Sequence, residues 1–91
     1  MTGTAMTKIL KEAVYKYGDN QIIVCIEELS ELQKELCKHL RNKGDIGHIA
    51  EEVADCEIML KQMKIYFDCC QSVEIWKSSK IKRLKKMVQE E

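Results

Sequence analysis

Proline is absent from this chain, glycine occurs four times, and Phe, Trp and Tyr together make up 5% of it. Sandwiches and barrels draw on aromatic and β-branched strands with frequent Gly and Pro turns, so this shortage argues against them. A composition that is 33% charged instead suits helices. Net charge is also missing, because fifteen Lys and Arg face fifteen Asp and Glu. No global field therefore recruits nucleic acid or an anionic membrane. No apolar run approaches the roughly 20 residues of a membrane-spanning helix. The opening MTGTAMTKILK lacks the apolar core of a signal peptide, so a cytoplasmic location is expected. Cysteines stand at 25, 37, 56, 69 and 70, an odd number with no Cys-x-x-Cys pair. They read as small buried hydrophobes in a reducing cytosol, with Cys69-Cys70 at a loop as the one redox handle.

What is present is helical patterning. Ninety-one residues make one domain whose small core gains from association. Breaks at Gly18-Asp19, Asn42 to Asp45 and Asp68 to Ser72 predict helices over about residues 4–17, 20–42, 46–67 and 73–89. Asp19, Asp45 and Ser72 stand where N-caps are wanted, and Gly18 and Gly44 where helices end. The expected fold is an all-α four-helix bundle, completed by oligomerisation.

Charge is uneven along the chain. Residues 27–57 hold nine acids against four bases, a net of −5, and residues 77–91 hold six bases against two acids, a net of +4. In QIIVCIEELSEL, Ile22 to Ile26 form one apolar turn that points in all directions, the pattern of all-round burial. It runs directly into Glu27 and Glu28, with Glu31 a turn later. The second helix carries the stripe Ile22, Cys25, Ile26, Leu29, Leu32, Leu36 and Leu40, with Glu28 and Glu31 at its rim and Glu35 solvated. On the third helix the stripe is Ile46, Ile49, Val53, Cys56, Leu60 and Met63, with Met59 on its edge. Glu52 projects within that edge and Asp55 lies beside it, where an unpaired carboxylate is costly. The last helix has Val73, Trp76, Ile81, Leu84 and Val88 as its stripe, with Lys77 and Lys80 inside the same arc. Those lysines either snorkel along it or reach an anion in the cleft.

Antiparallel packing of the two middle helices would set Glu28 and Glu31 opposite Glu52 and Asp55. Four such carboxylates cannot all stay ionised without compensation; pKa values rise, or a cation is present. Hard oxygen ligands on rigid elements suit Mg²⁺ or Mn²⁺, which can hold a polyphosphate and activate water. A di-iron bundle would want Glu-x-x-His on two helices, and His39 stands at the wrong spacing from Glu35.

EELSE at 27–31, followed by EVAD at 52–55, resembles the EExxE…ExxD signature of the all-α nucleoside triphosphate pyrophosphohydrolases, the compact MazG-like proteins in particular. The resemblance is best over residues 17–67 and continues more weakly into WKSSKIKRL at 76–84. It implies Mg²⁺-dependent hydrolysis of a nucleoside triphosphate to monophosphate and pyrophosphate, by water attack at the α-phosphorus, in a homodimer or homotetramer. Carried over by position, it makes Glu28, Glu31, Glu52 and Asp55 metal ligands. Glu27 becomes a further ligand through water or a base for the attacking water. Lys77, Lys80 and Arg83 resemble basic residues that the family sets against the phosphates, although this chain reads Ser-Ser-Lys where an Asn is often found. Gln21 is either a nucleotide contact or an exposed helix-start glutamine, and His48 either lines the pocket or is merely exposed. The competing reading is a non-catalytic helical interaction module whose acids serve solubility and register. A carboxylate metal-storage or redox bundle ranks third.

Overall fold

Three breaks in the chain decide where its helices stop. In a computed structural model describing residues 1–90, four α-helices form: α1 (Gly3–Tyr17), α2 (Asn20–Leu40), α3 (Ile46–Tyr66) and α4 (Cys70–Gln89), with no strand among the described residues. The fold is all-α, as expected.

The terminators are not all the expected ones. Gly18 ends α1 at φ +54°, a left-handed conformation that costs glycine nothing. α2, however, ends at Asn42 and not at Gly44. Asn42 takes φ +59°, its N–H donates to the His39 carbonyl, and Lys43 N–H donates to Lys38. That is a Schellman closure with asparagine in the left-handed position. Gly44 serves a different need, because a Cβ there would sit 2.8 Å from the His39 Cα. α3 closes the same way through Asp68, at φ +50°, with Cys69 N–H donating to the Lys64 carbonyl. This early closure lets α4 begin at Cys70, so Ser72 lies inside the first turn and is not its cap, and Cys70 is helical.

Asp45 caps α3 as expected, accepting from Gly47 N–H at 2.6 Å. Asp19 does not cap α2: its own backbone is already helical, and its carboxylate accepts instead from the Tyr66 hydroxyl. Together with a 2.6 Å hydrogen bond from Gln21 Nε2 to Gln62 Oε1, that contact ties the start of α2 to the end of α3. Further along, the Cys56 thiol donates to the Glu28 carbonyl at 3.3 Å. Residue numbers rise on one helix as they fall on the other, so α2 and α3 are antiparallel.

Their facing surfaces differ from the expected stripes. On α2 the inward line is Gln21, Cys25, Glu28, Leu32 and Glu35; on α3 it is Glu52, Asp55, Cys56, Met59 and Gln62. Glu35, expected to be solvated, is only 8% exposed. Ile26, Leu29, Leu36 and Leu40 are exposed, as are Ile46, Val53 and Leu60. Apolar residues surround both helices, so spacing alone selected the wrong arc; the polar pairs across the seam fix the rotation. All-round burial of Ile22 to Ile26 is likewise not found in the single chain, where only Cys25 is buried and Ile26 is 62% exposed.

α1 covers one side of the α2–α3 pair, where Met6, Ile9 and Leu10 line an apolar groove with Ala54 and Ile58. α4 touches only α3, near Leu60, Met63 and Phe67, and buries none of its residues. The single chain is thus a three-helix layer with a fourth helix attached at one end, and not a closed four-helix bundle.

The Gln21–Gln62 pair tests the polar seam. Gln62→Leu leaves the Gln21 amide buried without a partner, a cost of about 1–3 kcal/mol. Urea denaturation should register that loss, and Gln21→Leu combined with Gln62→Leu should recover most of it. Full loss in the double variant would show that packing, not amide pairing, holds this end of the seam.

Candidate metal centre

The antiparallel register sets the middle of α2 against the first half of α3, so carboxylates meet. One oxygen from each of Glu28, Glu52 and Asp55 lies within 4.8 Å of the other two, and all three side chains are half-buried. One Glu52 oxygen, Oε2, is buried and has no hydrogen-bond partner in the protein. A buried carboxylate oxygen without a donor is costly, and a cation removes that cost. Three hard oxygens, with a buried one on Glu52 left unpartnered, make an acidic triad that could hold a metal ion.

The electrostatics agree. Burial pushes the Glu28 carboxyl above its ordinary range, and so do the charge of Asp55, a hydrogen bond shared with it, and the charges of Glu52 and Glu31. Glu52 is raised by burial first, then by Asp55, Glu31, Glu51 and Glu35. Burial also pushes up the thiols of Cys25 and Cys56, with Glu28 and Glu52 adding to the effect at Cys56. Both cysteines therefore stay protonated and act as packing residues.

The remaining candidates divide. Glu31 is exposed at the rim and close enough for its charge to act on both Glu28 and Glu52. Glu27 is exposed and stands outside the cluster. Gln21 is buried and its amide nitrogen is engaged by Gln62, so it is not an exposed helix-start residue. His48 lies one turn before Glu52 and is exposed. Lys77, Lys80 and Arg83 are exposed on α4, which makes no contact with α2. Within that helix Lys77 pairs with Glu74 at 3.7 Å, and Lys80 lies 5.7 Å from the Trp76 ring centre. The residue that sequence reasoning missed is Glu35, buried at the cluster's edge with Lys38 at 3.4 Å. Its signal was available: seven residues after Glu28 on a helix is the same face.

The raised carboxyls set a pH dependence. Between the titration of these groups in the unfolded chain and in the fold, the folded state holds more protons, so stability falls as pH rises. The metal-free protein should therefore melt at a higher temperature when pH drops from neutral toward about 5. Saturating Mg²⁺ should raise the neutral-pH melting temperature and flatten this slope. A flat metal-free profile would count against the cluster.

Comparison of the chain with protein-family models, with curated proteins and with solved structures finds no match in any of the three.

Proposed function

We propose that this chain is a Mg²⁺-dependent nucleoside triphosphate pyrophosphohydrolase of the MazG-like kind, converting a (d)NTP to (d)NMP and pyrophosphate in the cytosol. The observation that carries the reading is the meeting of Glu28, Glu52 and Asp55 around the unpartnered Oε2 of Glu52. The EExxE…ExxD pattern on two antiparallel helices supports it. A bound Mg²⁺ would neutralise polyphosphate charge and lower the pKa of a coordinated water.

The chain's own residues have distinct parts in this scheme. Glu28, Glu52 and Asp55 would hold the ion from both helices, and Glu31 would add a fourth carboxylate from the rim. Being exposed, Glu31 and Glu27 can accept a proton from the attacking water, with Glu31 the nearer to the cluster. Glu35, buried on the same face of α2 as Glu28, adds its charge to those that raise the Glu52 carboxyl. Lys77, Lys80 and Arg83 are the cations available for the phosphates, where positioning and charge stabilisation account for most of the catalysis.

A helical interaction module is the alternative that one observation favours, namely the uncovered apolar flanks of α2, α3 and α4. A panel of common and modified nucleoside triphosphates with Mg²⁺ separates the readings. Monophosphate plus pyrophosphate from at least one substrate supports the hydrolase. No turnover across the panel by folded protein supports the module.

A further inference from the structure

Two thiols stand side by side where α3 gives way to α4, and the scheme above uses neither. All five cysteines are free, and they fall into three environments. Cys25 and Cys56 are buried in the α2–α3 seam, where burial pushes their thiols up and keeps them protonated. Cys37 is exposed on α2, sharing its face with the exposed Lys34 and Arg41. Cys69 is half-buried and Cys70 is exposed.

The surroundings of Cys69 set it apart. It is the N-cap of α4, and its N–H is fixed to the Lys64 carbonyl at 3.0 Å. No side-chain acceptor caps the first turn of that helix. Together with Met63, Phe67, Val73, Lys64 and Lys77, Cys69 lines a cleft of about 390 Å³ between α3 and α4. That volume lies in the range of small-ligand sites. Both ammonium groups lean on one carboxylate, since Glu74 lies 3.9 Å from Lys64 and 3.7 Å from Lys77. Two cations against one acid leave the rim positive, beside the positive end of α4. Apolar walls, spare positive charge and a thiol in one wall suit an anionic thiol compound.

The two cysteines do not suit each other as a disulfide. Consecutive Cα atoms stand about 3.8 Å apart, closer than the roughly 4.4–6.8 Å that a disulfide spans. Closing the pair would distort the first turn of α4, whereas a mixed disulfide with a second molecule leaves the backbone alone.

The geometry points to Cys69 and Cys70 as a site of thiol–disulfide exchange with an anionic low-molecular-weight disulfide, which ends as a mixed disulfide on Cys69 in the cleft. The exposed Cys70 thiolate attacks one sulfur of the reagent; a Cys70–S bond forms, the reagent's S–S bond breaks, and the departing thiolate takes a proton from water. Cys69 then attacks the outer sulfur of that adduct, so the new bond passes to Cys69 and Cys70 is released as a thiol. The reagent is the oxidant throughout, and excess reduced thiol reverses both steps. An adduct in this cleft occupies the one place where α4 meets the rest of the chain, and so displaces the helix. The exchange rests on the cleft alone; an effect on turnover through Lys77, Lys80 and Arg83 rests on the hydrolase reading above.

Oxidised glutathione, whose halves both carry carboxylates, is the probe, equilibrated with its reduced form and mapped by tandem mass spectrometry. Cys37 is the internal standard, an exposed thiol near cations but without a neighbouring thiol. One charge contact and the burial of a few CH₂ groups should favour the Cys69 adduct over the Cys37 adduct by about tenfold. Unfolding in urea should erase that ratio, Glu74→Gln should raise it, and Lys64→Gln or the neutral hydroxyethyl disulfide should lower it. Cys70→Ser should slow arrival at Cys69 without changing the final ratio. Equal adducts on Cys37 and Cys69 in the folded chain, retention on Cys70, or an internal Cys69–Cys70 disulfide would overturn the inference. A Cys69 adduct in a protein that hydrolyses no nucleotide would uphold the exchange site and overturn the hydrolase reading alone.

Discussion

Glu52→Gln should abolish metal-dependent turnover while making the metal-free chain more stable. The two effects have one origin. Glu52 is the acid whose Oε2 is buried without a partner, and burial together with the charges of Asp55 and Glu31 opposes its ionisation. An amide of the same volume removes that charge and can donate to a neighbouring carboxylate, so repulsion across the seam is relieved. It also removes a ligand from the centre of the cluster. Loss of one pre-positioned group that stabilises developing charge costs on the order of 10²–10³ in rate, and a shared metal ligand stands at the upper end. Thermal melting and product analysis on the same preparation test both halves. A variant that loses activity by unfolding would melt lower than the parent; the expected variant melts higher without metal and gains nothing from Mg²⁺.

Met59→Ala should produce the largest loss of stability of any single truncation. Among the described residues only Cys25, Cys56 and Met59 are buried apolar residues, and Met59 is the largest of them at 6% exposure. It lies on the inward line of α3 between the acids and Gln62, whose amide also approaches its sulfur at 3.4 Å. Truncation of a buried methionine costs about 2–5 kcal/mol, part of it from the cavity left behind. Domains are stable by about 5–15 kcal/mol, so a chain with so thin a core loses much of its margin. Met59→Leu conserves volume and should cost less than about 1.5 kcal/mol. Mg²⁺ at about 100 times its dissociation constant would return about 2.7 kcal/mol. Urea midpoints with and without Mg²⁺ measure this compensation, and equal midpoints would detach the acids from the stability of the seam.

Much of this was legible in the residues. The shortage of Gly and Pro punctuation left three places where helices could break, and helices formed between them. Asp45 was readable as a cap because a side chain in that position has one obvious use. The pairing of Glu28 with Glu52 and Asp55 followed from two short motifs and an antiparallel turn. The rotation of α2 and α3 did not follow. Ile26, Leu29 and Leu36 look like a core stripe, and periodicity cannot distinguish a surface buried within the chain from one left for a partner. Glu35 was missed for the same reason, since the arc chosen for the core decided which acids counted as solvated. Asn42 and Asp68 show a smaller version of the problem: left-handed closures at non-glycine residues hide behind a nearby Gly44 or Ser72.

The most direct test of the metal centre is a Mn²⁺ titration of the wild-type chain, followed by electron paramagnetic resonance, beside Glu52→Gln. The account predicts saturable binding to the wild type, competed by Mg²⁺, and its loss in the variant with helicity unchanged. Equal binding by both proteins, or none by either, would contradict it.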